Sequence, residues 1–196
     1  MCSGNFLLQR ILVLSTDDLF EAIIKQINAL GLLKQAWVNN KGGVLARFAE
    51  RAGGLSEEKQ VSVIDHLKSA VCIEQPNVAH GLLLASSSQV SYQGGLVCQA
   101  LMTYHGRARK LILDDLFALE LEELKTIFDS APGSFLLEKM AKTIPEKKFI
   151  ELLKKLPIDQ IAFGRSGSRI AWLIFGSFPV CYSIVIHNNS IVSLCI

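Results

Sequence analysis

Charge is scarce in this chain, and it is absent from one end. Only 19% of the 196 residues are Asp, Glu, Lys or Arg, and none of these lies in residues 170–196. All 20 basic and 18 acidic side chains fall in residues 1–169, leaving a net charge of +2. That balance excludes a basic footprint spread over the whole molecule. A chain that is 50% hydrophobic with so little charge is not intrinsically disordered. Proline is rare and glycine ordinary, at 5 and 14 residues, which excludes collagen-like and linker-type sequence. The five cysteines, Cys2, Cys72, Cys98, Cys181 and Cys195, are odd in number and form no CxxC pair. A disulfide framework or a zinc site therefore does not follow, and small buried thiols do. No basic region precedes the first apolar run, so Met1-Cys-Ser-Gly-Asn is not expected to act as a secretory signal. The chain is expected to start inside a larger architecture.

Catalytic signatures are also missing. His66, His80 and His105 stand in no HExxH motif, and there is no P-loop and no GxSxG. No catalytic residues, metal ligands, cofactor or small-molecule substrate are expected, and the chain is not read as an enzyme. Asp114-Asp115 reads as solvated.

What remains is helical periodicity. Phe6, Leu7, Ile11 and Leu14 form one stripe, Leu19, Ile23, Ile27 and Leu30 a second, and Val61, Ile64, Leu67 and Val71 a third. No stretch of residues 1–169 alternates strictly between apolar and polar, so this part is expected to be all-α. Helix starts are expected at Thr16-Asp17-Asp18, at Ser56-Glu57-Glu58 and at a Thr143-Ile144-Pro145-Glu146 capping box. Gly31, Gly81 and Gly106 are expected to stop helices.

One segment recurs five times. It appears as Gly4-Asn5-Phe6-Leu7-Leu8-Gln9, Gly42-Gly43-Val44-Leu45-Ala46-Arg47 and Gly94-Gly95-Leu96-Val97-Cys98-Gln99. It returns as Gly133-Ser134-Phe135-Leu136-Leu137-Glu138 and Gly167-Ser168-Arg169-Ile170-Ala171-Trp172. The glycines are spaced by 38, 52, 39 and 34 residues, and the longest interval implies an insertion or an elongated helix pair near residues 56–88. Helices repeating at this period imply an α-solenoid. The second and sixth residues of each segment lie four apart on one helical face. Such pairs can read one base per repeat, and the residue between them can stack on it. On the pattern alone, a HEAT- or armadillo-like protein-binding scaffold comes ahead of RNA reading.

The segments Gly4 to Arg10, Gly133 to Glu138 and Ser166 to Ile170 resemble the RNA-facing helices of Pumilio repeats. Their order is similar to the nucleolar Pumilio-like proteins of the nucleolar-protein-nine family, over about residues 2–175. The resemblance implies a curved array of three-helix repeats, about 4–5 of them here, as a fragment of a longer array. Residues 1–175 would form this array, and 176–196 an atypical apolar tail outside it. Implied partners are the small-subunit (18S) pre-rRNA, single-stranded or structured, and pre-ribosomal proteins. The implied role is shielding that RNA from premature cleavage in the nucleolus.

The resemblance assigns RNA contacts to Asn5, Phe6, Gln9, Arg47, Leu96, Gln99, Ser134, Phe135, Glu138, Ser168 and Arg169. Asn5 with Gln9 matches a uracil-reading pair, with Phe6 stacking. Ser134 with Glu138 matches a guanine-reading pair. Gly95 leaves Gln99 half a pair, and Trp172 stands where an acid or amide is expected. Three basic groups are candidates for phosphate contact. They are Lys41, Arg47 and Arg51; Arg107, Arg109 and Lys110; and Arg165 with Arg169. Lys147, Lys148, Lys154 and Lys155 read as a solvated helix face.

The uncharged tail is a poor membrane span. Residues 170–186 offer 17 apolar-rich positions interrupted by Gly176 and Pro179, where a span needs about 20. Its run Ser183-Ile184-Val185-Ile186 suits a strand.

Overall fold

The computed structural model describes residues 3–71, 77–84, 89–156, 183–187 and 190–194. Up to Leu156 these form eleven helices. They are α1 (Ser3–Leu14), α2 (Asp17–Ala29), α3 (Leu32–Val38), α4 (Gly42–Ala52), α5 (Glu57–Val71) and α6 (Val78–Leu83). They continue as α7 (Tyr92–Leu101), α8 (Gly106–Phe117), α9 (Leu121–Asp129), α10 (Ala131–Thr143) and α11 (Glu146–Lys155). Near the end, β1 (Ser183–His187) pairs antiparallel with β2 (Ser190–Leu194), Val185 opposite Val192. The chain divides into two compact units, Met1–Leu119 and Glu120–Ile196. This division falls earlier than the expected boundary at 175/176, which lies outside the described residues.

In the first unit α4 is the central helix, with seven of its eleven residues buried. It packs against α1 on one side and α7 on the other. A second set surrounds α5, which contacts α3, α6 and α8. Phe20 and Phe48 meet at 5.4 Å between ring centroids, and both are fully buried. In the second unit α10 packs on α9 and α11. Four of the five recurring segments are described, and they lie on α1, α4, α7 and α10, so the segment returns at every third helix.

Helix punctuation is local chemistry, and much of it is legible. The Thr16 hydroxyl accepts from the Leu19 N–H and caps α2, while Asp17 and Asp18 place negative charge in its first turn. Glu57 and Glu58 open α5 in the same way. Gly31 takes a left-handed φ of 61° between α2 and α3, a conformation that costs glycine little.

Three expected signals are corrected. Thr143 is the last residue of α10, its hydroxyl donates to the Lys139 carbonyl, and Pro145 stands at the N-cap of α11. The capping box that does form is Glu120 with Glu123, at the start of α9. Gly81 lies inside α6, and Gly106 opens α8 instead of ending a helix.

The apolar stripes locate helices without locating the core. On α1, Leu12 is fully buried, while Phe6, Leu7, Ile11 and Leu14 are all exposed. On α2, Ile27 is buried and Leu19 and Leu30 are exposed. The stripe on α5 behaves as expected at Ile64, Leu67 and Val71.

The glycines of the recurring segment are needed for close approach. The Ser91 hydroxyl caps α7 by accepting from the Gly94 N–H at 3.0 Å. The Ser130 hydroxyl caps α10 through the Gly133 N–H at 3.1 Å. A Cβ on Gly94 would overlap the Leu82 carbonyl of α6, and one on Gly133 would overlap the Ile127 carbonyl of α9. α7 and α10 are thus each pressed against the backbone of the helix before them.

Candidate nucleic-acid interface

The surface in question is carried by α1, α4 and α7, which lie side by side in that order. On α1, Asn5 and Gln9 are four residues apart and share one face. The Gln9 amide donates to the Asn5 carbonyl oxygen at 3.2 Å. Each amide keeps further donors and acceptors beyond that bond. Phe6 beside them is 69% exposed. Gln9 approaches Gly43 closely enough that a Cβ there would lie 3.4 Å from the Gln9 amide nitrogen. From the other side, the Gly42 N–H donates to the Gln93 side-chain carbonyl. A row of amide groups therefore runs across three neighbouring helices, from Asn5 and Gln9 past Gly42 and Gly43 to Gln93.

On α4, Arg47 is exposed and forms an ion pair with Glu50 at 2.5 Å. On α7, Leu96 and Gln99 are half-buried and Gly95 is buried. The α7 surface ridge is Tyr92, Leu96, Gln99 and Thr103, at heptad-like steps of four, three and four. Tyr92, 61% exposed, and Gln93 are the site residues that sequence reasoning missed. Both precede the glycine of the segment, and the signal that marks Tyr92 is its spacing of four from Leu96.

In the second unit, Ser134 departs from expectation. It is 2% exposed, and its hydroxyl donates to the Ala131 carbonyl at 2.8 Å. The tight seating of Gly133 turns the next residue into the packed side of α10. Phe135 is 36% exposed. Glu138 is half-buried and forms an ion pair with Lys142 at 2.7 Å. On both α7 and α10 it is therefore the third and sixth residues of the segment that reach the surface, not the second and sixth. Ser168 and Arg169, with Arg165 and Trp172, lie outside the described residues.

The expected basic groups are dispersed. Lys41 and Arg51 stand at opposite ends of α4, ten residues or roughly 15 Å apart along its axis. Arg51 is engaged in structure: it donates to the Ser15 carbonyl at 3.1 Å, pairs with Asp17 at 2.5 Å, and sits 5.2 Å over the Phe20 ring. Arg109 donates to the Tyr104 carbonyl, and Lys110 pairs with Asp114 at 2.5 Å. Lys147, Lys148, Lys154 and Lys155 are exposed on α11. The candidate surface is thus amide-rich and apolar, with its one central cation, Arg47, offset by Glu50.

Titratable chemistry lies elsewhere. Burial pushes the Cys98 thiol up to about 12, which makes it a poor nucleophile. Burial also raises the Tyr104 phenol. Among the described residues there is no cluster of three or more His, Cys, Asp or Glu able to hold a metal ion. No helix among them is long and apolar enough to cross a membrane.

No protein-family model, no curated protein and no solved structure matches the chain.

Proposed function

We propose that the chain is an α-solenoid of Pumilio-like repeats that binds single-stranded RNA along the surface of α1, α4 and α7. The observation that carries this reading is the recurrence of one segment at every third helix, with three of those helices side by side. Their exposed positions are suited to bases. Amides at Asn5, Gln9 and Gln99 can pair with base edges, and Phe6 and Tyr92 can stack against base planes. The proposed biological role is binding small-subunit pre-rRNA in nucleolar pre-ribosomes and shielding it from premature cleavage. The sequence resemblance supports that role. Because the surface carries little free positive charge, binding should depend weakly on salt, with a slope of about one or two phosphates.

The test is fluorescence anisotropy of the full chain with a labelled uridine-rich single strand. Phe6→Ala and Tyr92→Ala should each weaken binding by about 1–3 kcal/mol, the value of a base–aromatic stack. Asn5→Ala combined with Gln9→Ala should weaken it further. A folded chain that binds no RNA, structured or single-stranded, would favour the other reading. That reading is a helical-repeat scaffold for a protein partner, and the exposed apolar residues of α1–α3 speak for it.

A further inference from the structure

Two side-chain bridges tie α2 to α5. Glu21 pairs with Lys59, and Asn28 meets His66 at 2.8 Å. Each pair is 38 residues apart, the spacing of Gly4 from Gly42. The two helices therefore run parallel and in register. The close neighbours of α5 are α3, α4, α6 and α8, and α2 is not one of them. Between the bridges α2 and α5 border a cleft of about 440 Å³, a volume in the range of small-molecule sites. The bridges mark its two ends, seven residues or about 10 Å apart along each helix.

The two ends differ in chemistry. Between them the lining is apolar, from half-buried Ile24 and buried Val63. The Lys59 end is acidic and self-contained: Glu21 is bound to Lys59, and Asp17 and Asp18 also act on that ammonium. The His66 end is rich in donors. The Asn28 amide donates to His66 Nε2, so the neutral ring carries its proton on Nδ1, which is buried and has no partner. A buried polar atom left unpaired is uncommon, and a ligand oxygen entering at this end would supply its acceptor. One helical turn away, exposed Lys25 and Ser62 line the cleft from opposite walls. Neither makes a hydrogen bond or ion pair among the described residues.

We propose that this cleft binds a compact organic anion, an apolar body carrying one carboxylate or phosphate. The body lies on Ile24 and Val63. The anionic group meets Lys25, Ser62 and the Asn28–His66 pair, where the donors converge. Charge sets this orientation, because the acids gather at the opposite end. Size sets the class of ligand. A helix or strand laid along the groove would have to break both bridges, whereas a small molecule fits between them. The proposal does not depend on RNA binding, since α2 and α5 are not the helices assigned to bases.

Amide-resolved NMR titration of the full chain tests the proposal, with benzoate, phenyl phosphate and uncharged benzyl alcohol as probes. At least one anion should give saturable shifts centred on residues 21–28 and 59–66, with a Kd of about 1 mM or tighter. The tighter of the two anions tells whether the site prefers carboxylate or phosphate. Benzyl alcohol should bind about tenfold more weakly or worse, the value of a hydrogen bond to a charged group. Lys25→Glu should weaken the anion by the same factor and leave the uncharged probe unchanged. Ser62→Trp should block all three probes by filling the cleft. Both residues are exposed, so the rest of the spectrum should keep its folded pattern. If Lys25→Glu disturbs the fold, Ser62→Trp still decides the matter. No saturable shift with either anion, shifts centred on other helices, equal binding of benzyl alcohol, or affinities indifferent to both variants overturns the proposal.

Discussion

Among the described residues Tyr104 is the largest fully buried side chain, and its hydroxyl has no hydrogen-bond partner. A buried, unpaired hydroxyl costs roughly 1–3 kcal/mol, so removing it should help. Tyr104→Phe should raise stability by about 1 kcal/mol in urea melts; a loss of that size would mean that the hydroxyl is satisfied. Asp115 makes a different case. Its carboxylate accepts from the Val78 N–H at 2.8 Å, at the start of α6. Burial raises its pKa, and the Val78 bond only partly opposes this. The ionised form is thus disfavoured in the folded state. Below the ordinary carboxylate range both folded and unfolded chains are protonated and the penalty vanishes. It grows as pH rises through that range into the raised folded value. Asp115→Asn keeps an acceptor and removes the charge. It should match or exceed the parent at pH 7, and that margin should shrink toward pH 4 in paired thermal melts.

Gly94 and Gly133 act at the scale of helix pairs. In an ordinary helix interior, alanine is favoured over glycine by about 1 kcal/mol. Here the added carbon would strike a backbone carbonyl that has no rotamer to move away. Overpacking costs typically 1–3 kcal/mol, so sterics override propensity. Gly94→Ala and Gly133→Ala should each destabilise by about 1–3 kcal/mol, measured by denaturant midpoints. A stabilising Gly94→Ala would show that α6 and α7 are not so close. The same contact explains why Ser134 was misplaced from sequence. Position within a helix could be counted, but the rotation of that helix is set by which residue its neighbour's backbone touches. Thr16 and the acids after it were legible because an N-cap involves only the next three residues. Thr143 misleads because α10 continues through it and Pro145 takes the N-cap position of α11.

For the whole molecule, the recurring segment is the strongest ordering principle. It falls on α1, α4, α7 and α10, and in the first unit α4 contacts both α1 and α7. It also makes the exposed Leu7 and Leu14 of α1 conspicuous, because the residues at the same distance from the segment glycine in the α4 and α7 repeats are buried. The paired charges on the surface set a second expectation. With Arg47 held by Glu50 and Arg51 by Asp17, the RNA binding proposed above should rest on stacking and amides. Raising salt from 50 to 200 mM should cost roughly tenfold or less. A steep loss over that range would reveal phosphate contacts that this surface does not supply.

The sequence by itself determined the helical class of the described residues up to Leu156, the recurrence of the glycine segment and several helix starts. These follow from periodicity, capping and counting, which act over a few neighbouring residues. Only the tertiary structure decided which apolar stripe is buried, which residues of the segment reach the surface, and which arginines are available. Leu7 and Leu45 have similar side chains at the same place in the same pattern. One is exposed and the other buried because α4 has a helix on each side, a fact of packing that no local pattern contains.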